Sequence, residues 1–254
     1  MTRGTGGEHL EPLRDMPQLQ RAARCALPII FTSLDDPEYP GTHGTCTALR
    51  FGDETVFVTA AHVMRGNNDR TVVEVVLGFQ GEPVRCRIGK ILKPRPAADQ
   101  FEAASDLGIM VPSSPPTFVD GDSAPYDLIR VTNLAAASRG SPFAVFGYPQ
   151  ASDRNAIDYA TRTLTFGVAV AIGTYEAPST FSGHHMLDVS TQDIGGPSGF
   201  SGGPVFRLFR DGETWTPSFA GIVTMGGPTR IHFIDVAFLS GFLLNEVFRR
   251  PAAS

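Results

Sequence analysis

Lysine is almost missing from this chain: of its 21 basic residues only Lys90 and Lys93 are lysine. With no basic run, no aromatic–basic stripe and a net charge of −5, nucleic acid is excluded as an expected partner. The arginine bias reads as genome composition and points to a GC-rich bacterium, not to a function. Cysteine is scarce too. Cys25, Cys46 and Cys86 are an odd, widely spaced set without C-x-x-C pairing, which excludes a disulfide scaffold and a cysteine metal site. Free thiols in a reducing compartment, the cytoplasm, are expected. No stretch approaches the roughly 20 apolar residues of a membrane span. Met1 to His9 is polar and Gly-rich with one arginine, so no secretion signal is read there.

What is present is an ordinary globular composition, 42% hydrophobic and 19% charged over 254 residues, enough for one large domain or two small ones. Short apolar runs cut by turn residues dominate. Leu27–Phe31, Cys46–Phe51, Thr55–Val58, Val72–Phe79, Val84–Leu92 and Leu107–Val111 read as strands. After a Pro/Ser/Asp-rich connection, so do Pro142–Phe146, Arg162–Ile172, His185–Ser190, Pro204–Phe209, Ser218–Val223 and Arg230–Ile234. Evenly spaced short strands with turn signals predict an all-β sandwich or barrel. A short helical piece covers Pro17–Ala23, and the last segment, about Val236–Arg249, carries apolar residues at helical spacing. The inferred architecture is two antiparallel β-barrels with a C-terminal α-helix. Its expected parts are an N-terminal extension (1–25), a first barrel (26–120), a linker (121–140), a second barrel (141–235), and a C-terminal helix and tail (236–254).

Three distant strings carry the chemistry. In Thr59-Ala60-Ala61-His62 a strand runs into small residues that let an imidazole emerge at a barrel edge. Asp106 precedes the apolar run Leu107-Gly108-Ile109-Met110, where a carboxylate can be half-buried and face a histidine N–H; a turn aspartate is the ordinary alternative. Ser201 sits in Gly199-Phe200-Ser201-Gly202-Gly203-Pro204. Its hydroxyl needs a base to become nucleophilic, and the glycines allow a carbonyl to approach backbone N–H donors of Gly199 and Ser201. The order His, Asp, Ser is one of those used by serine-protease triads. Gly199–Gly203 also fits G-x-S-x-G, with Asp211 and His232 as nominal partners, but Val205–Phe209 reads as a strand, not the helix an elbow requires.

Together the three strings resemble the trypsin/chymotrypsin-like serine proteases, closer to bacterial intracellular and Deg-type members than to secreted digestive ones. The resemblance spans roughly residues 26–240. The separations, 44 residues from His62 to Asp106 and 95 from Asp106 to Ser201, are typical of that family, and Phe146-Gly147-Tyr148-Pro149 is similar to the segment opening its second barrel. The family fold implies two six-stranded barrels with the triad in the cleft between them. By resemblance, Gly195, Gly196, Pro197, Ser198, Thr224, Met225 and Gly226 would line the pocket for the residue before the scissile bond. Gly195 stands where trypsin-like members carry an acidic floor, so a small or apolar residue is expected there in place of Arg or Lys.

Phe200 replaces the aspartate that in secreted members pairs with a new N-terminus, so no zymogen switch of that kind is expected. Val63 follows His62, so the histidine-loop disulfide of those members is not expected either. His232 and Asp188 or Asp193 are weighed as pocket-rim residues, with strand, turn and surface roles as the default. His184-His185 lacks a third ligand at metal spacing and reads as a solvated loop. The function expected is a serine endopeptidase acting on polypeptides without metal or cofactor, with a regulatory protein partner to restrain it. Two rivals are a binding module on the same fold, motivated by the bulk of Phe200 beside the oxyanion loop, and an esterase.

Overall fold

The computed structural model describes residues 16–65, 69–78, 83–93, 106–128, 137–150, 156–158, 160, 163–181, 183–191, 196–212 and 214–247. The chain opens with helix α1 (Pro17–Ala23), whose proline at the first turn costs no hydrogen bond. Strands β1 (Ala26–Ser33), β2 (Gly41–Phe51), β3 (Glu54–Ala60), β4 (Thr71–Gly78), β5 (Val84–Leu92) and β6 (Leu107–Pro112) follow. They pair in the order β1-β4-β5-β6-β3-β2, and β2 returns to β1, closing the first six-stranded antiparallel barrel. Strand β7 (Tyr126–Asp127) adds in parallel to β2 at Leu49 and Arg50.

The second closed barrel contains β8 (Pro142–Gly147), β11 (Ala169–Pro178), β12 (His184–Val189), β13 (Pro204–Asp211), β14 (Thr214–Gly226) and β15 (Arg230–Asp235). Between β8 and β11, a small hairpin of β9 (Ala156–Asp158) and β10 (Thr163–Thr165) stands apart. Helix α2 (Val236–Phe242) starts on the side chain of Asp235, which accepts the Ala237 N–H, and continues as a π-turn over Leu243–Val247. No helix among the described residues is long and apolar enough to cross a membrane.

The expected fold class is the one observed. Several boundaries differ. The single strand expected over Arg162–Ile172 is two: Phe166-Gly167-Val168 interrupts it, leaving β10 in the outer hairpin and β11 in the barrel wall. Within the expected linker, Tyr126 and Asp127 pair in parallel with β2. The last helix changes pitch at Leu243, and residues 248–254 lie outside the described residues, as does 1–15 of the N-terminal segment. His184 and His185 lie in β12, not in a solvated loop. Leu187 and Val189 share the inward face of β12, whereas His184, on the opposite face at the strand's start, is only 4% exposed.

Each barrel fills its own interior, the first with Leu27, Ile29, Phe57, Val75 and Met110, the second with Phe143, Val145, Phe200, Val205 and Phe233. A third cluster lies along the seam. It joins Val58, Leu107 and Leu49 of the first barrel to Phe146, Phe206, Phe219 and Ile222 of the second, and both helices cover it through Leu19, Ala22, Leu239 and Leu243. Tyr126 is a staple across this seam. Its strand pairs with β2, its ring lies 5.3 Å from Phe206 and 5.5 Å from Phe219, and its hydroxyl accepts the Phe219 N–H at 3.3 Å. Phe206 is fully buried with Tyr126, Phe146 and Phe219 around it. Phe206→Ala is therefore expected to destabilise the fold by about 3–5 kcal/mol, read as a lower urea midpoint at unchanged slope.

Candidate active site

Strand β3 delivers His62. Its residues Val56–Ala60 are buried, and the chain then tightens into a single 3-10 turn over Ala61–Met64. That turn is pinned from β6 by Asp106, whose backbone carbonyl accepts the Ala61 N–H at 2.9 Å and whose Oδ1 accepts the His62 N–H at 3.1 Å. The same carboxylate faces the ring: Nδ1 of His62 is 3.0 Å from Oδ1 and 3.1 Å from Oδ2. A carboxylate only accepts, so Nδ1 carries the proton and Nε2 is left as an acceptor. Nε2 lies 2.9 Å from Oγ of Ser201. Imidazole and carboxylate side chains are 36% and 19% exposed, open enough for a substrate yet backed by the barrels.

Ser201 stands on a tight loop whose backbone is almost wholly tied inward. The N–H of Phe200 donates to Pro197 (3.2 Å), that of Gly202 to Val223 (2.8 Å), and that of Gly203 to Phe200 (2.8 Å). Gly199 and Gly202 hold φ of 95° and 85°, values that L side chains rarely adopt. Side chains there are also blocked by contact, since a Cβ on Gly199 would fall on the Tyr148 carbonyl and one on Gly202 on the Thr45 carbonyl.

Two carbonyls decide where the N–H groups beside Ser201 point. The Ser198 carbonyl accepts from Gln150 N–H at 3.1 Å, and the Phe200 carbonyl accepts from Gly203 N–H. In a trans peptide the C=O and the following N–H point to opposite sides. Holding these two carbonyls inward turns the N–H groups of Gly199 and Ser201 outward, and among the described residues neither has an acceptor. Phe200 itself is fully buried in the second barrel, against Gly147, where an added Cβ would come within 2.8 Å of the Phe200 Cα and ring. The phenyl ring thus holds the loop down instead of obstructing it.

A groove of about 880 Å³ opens beside these groups. His62, Asp106 and Ser201 line it together with Pro197, Ser198, Thr224, Met225 and Gly226. Gly196 is not among its lining residues, its N–H being bonded to the Thr191 carbonyl at 2.8 Å, and Gly195 and Asp193 lie outside the described residues. His232 and Asp188 do not line it either. Sequence reasoning missed three lining residues: Arg65, three positions past His62 on the same turn, Phe181 from the β11–β12 connection, and the buried His184. Arg65 was legible from spacing alone, whereas Phe181 and His184 reach the groove only through barrel closure.

Burial pushes the thiols of Cys25, Cys46 and Cys86 up, so all three, free of disulfides, stay protonated and unreactive. No group of three or more His, Cys, Asp or Glu among the described residues is placed to hold a metal. His185 joins the Tyr175 hydroxyl (2.8 Å) to Asp235 (3.2 Å), away from Ser201.

His232, beneath the groove wall with Nδ1 3.3 Å from Ser179 Oγ, has its pKa held below the usual histidine value by burial first and by Arg230 second, with Glu176 opposing. A depressed folded-state pKa means the folded protein binds fewer protons than the unfolded chain. The stability this provides is complete above the unfolded value of about 6.5 and is lost as pH falls through the folded one. His232→Gln is expected to flatten the acid-side fall in Tm below about pH 6.5, measured against wild type across a pH series.

Comparison with known proteins bears on the family and the fold. The family model for the trypsin-like peptidase domain matches residues 44–214, a stretch that includes His62, Asp106 and Ser201. Among solved structures, the crystal structure of protease Anisep from Arthrobacter nicotinovorans is similar in fold at 14% identity and a TM-score of 0.50, over 87% of this chain and 94% of that one. Among curated proteins none matches the sequence.

Proposed function

This chain belongs to the trypsin-like peptidase domain family, and from that premise we propose that it is a serine endopeptidase working through an acyl-enzyme. The observation that carries the reading is the unbroken line from Asp106 through His62 to Ser201, with ring nitrogens 3.0 Å from the carboxylate and 2.9 Å from the hydroxyl. Ser201 Oγ attacks the scissile carbonyl while Nε2 of His62 takes its proton. Asp106 keeps Nδ1 protonated and stabilises the imidazolium. The developing oxyanion is met by the outward N–H groups of Gly199 and Ser201. Collapse of the tetrahedral adduct breaks the C–N bond as His62 returns the proton to the leaving amine, and water then repeats the sequence on the ester.

The binding-module rival is motivated by Phe200, and a flipped peptide turning the Gly199 N–H away would support it. Burial of Phe200 and the Ser198–Gln150 bond favour the enzyme over that rival. For the substrate, the β13 side of β14 is open past Val223: among the described residues no strand pairs with Thr224-Met225-Gly226 along that edge, so an extended peptide can add there as a strand. Phe181 and Met225, 37% and 40% exposed, flank the groove and suit an apolar residue before the scissile bond. The buried, unbridged thiols fit a reducing bacterial cytoplasm, where a regulatory partner would restrain the enzyme.

Ser201→Ala is expected to keep the wild-type Tm, to lose fluorophosphonate labelling, and to cut peptide hydrolysis at least about 1000-fold. Retained peptide turnover in the alanine variant would defeat the assignment, and ester turnover without peptide turnover in wild type would favour an esterase. A peptide library read by mass spectrometry is expected to show cuts after apolar residues. Cuts chiefly after Arg or Lys would overturn the pocket reading.

A further inference from the structure

Thr45 is a polar residue with no exposure at all, and each of its hydrogen-bonding groups is satisfied, three of its four contacts crossing the seam. Its hydroxyl donates to the Gly199 carbonyl at 2.6 Å and accepts the Tyr148 N–H at 3.0 Å. Its backbone N–H donates to the Ser201 carbonyl at 3.2 Å, and its carbonyl accepts the Thr59 hydroxyl at 2.8 Å. Thr59 is three residues before His62 on β3. One residue of the first barrel therefore touches the residues on both sides of Phe200, the segment after β8, and the strand that carries the histidine. Thr47, on the same face of β2, donates to the Gly202 carbonyl at 2.8 Å.

We propose that Thr45 is a positioning residue for the nucleophile loop, an inference that rests on the peptidase reading above. Gly199 has the torsional freedom to place its two peptide planes in several ways; the Ser198 and Phe200 carbonyls tie the planes before and after the Gly199–Phe200 peptide, and that peptide's own N–H is held within the loop by Pro197 at 3.2 Å. The carbonyl of Gly199 belongs to the plane between them. With the Thr45 hydroxyl on that carbonyl, the plane is locked to the first barrel, and so the loop keeps register with His62 and not only with its own barrel. The hydroxyl has one proton to give and here gives it to Gly199, while the Tyr148 N–H occupies a lone pair. Valine, the same shape without the oxygen, would leave a buried carbonyl and a buried N–H without partners. The loop would then relax toward other acceptors, and a displacement of about 1 Å at a reacting group can cost about 100-fold in rate.

The test compares Thr45→Val with Thr45→Ser on the full chain, using a chromogenic peptide for steady state and a fluorophosphonate for the acylation rate. T45V is expected to lose about 100-fold in kcat and in labelling rate, with KM within about threefold and a folded near-UV spectrum at the assay temperature. T45S, which keeps the hydroxyl, is expected to stay within about threefold of wild type. If T45V does not fold, T45C carries the comparison, since a thiol of similar size is a weak donor and a loss of about tenfold in kcat is expected. T45V with wild-type kcat overturns the proposal, as does T45S losing as much as T45V, because then packing and not the hydroxyl matters. Wild-type protein that takes no fluorophosphonate overturns the peptidase reading and this inference with it. Labelling of wild type and T45V at equal rates overturns the inference alone.

Discussion

Ser201 and His62 are carried by different closed barrels, so the 2.9 Å between them is a property of the seam. Neither barrel can adjust for the other, because a closed sheet has no free edge along which to slide. What fixes the seam is a mixture of apolar filling and buried polar contact. The aromatic group of Tyr126, Phe146, Phe206 and Phe219 supplies area without direction. The hydroxyls of Thr45, Thr47 and Thr59 supply direction, each bonded to a carbonyl across or beside the seam. Area alone would hold the halves together at a loosely defined angle. Reacting groups that must meet within a few tenths of an ångström need the directional contacts as well.

The loop around Ser201 applies the same logic at smaller scale. Glycines admit the backbone path, inward carbonyls choose which face the N–H groups present, and Phe200 anchors the whole turn in the second core. The groove beside it is then defined by where strands end: β14 outruns β13 on one side, and the β11–β12 connection brings Phe181 over it. The meeting of Asp106, His62 and Ser201 and the groove beside them are thus consequences of strand length and closure.

How much of this was legible beforehand depended on the range of the interaction. Thr59-Ala60-Ala61-His62, Asp106 before its apolar run, and the glycine-flanked Ser201 are local strings, and their order pointed to one chemistry. The number and class of strands followed from turn spacing. What escaped was set by closure. His184 looked like a loop residue beside His185 because burial on β12 depends on β15 as its neighbour. The break at Phe166–Val168 carries no turn signal stronger than one glycine, so β10 and β11 read as one strand. Phe200 looked like an obstruction until Gly147, 53 residues earlier, turned out to leave the space it fills. Thr45 and Thr47 gave no sign at all, since threonine is an unremarkable strand residue.

Phe200 has a consequence for how such an enzyme can be controlled. A phenyl ring in a sealed core carries no charge to neutralise and no ion atmosphere to thin, so neither acid nor salt offers a lever on it. On the proposed reading, the serine turn is set by the packing of the second barrel around Phe200. If the proposed peptidase is restrained by a partner, the groove beside Ser201 offers the partner a handle that the buried ring beneath it does not.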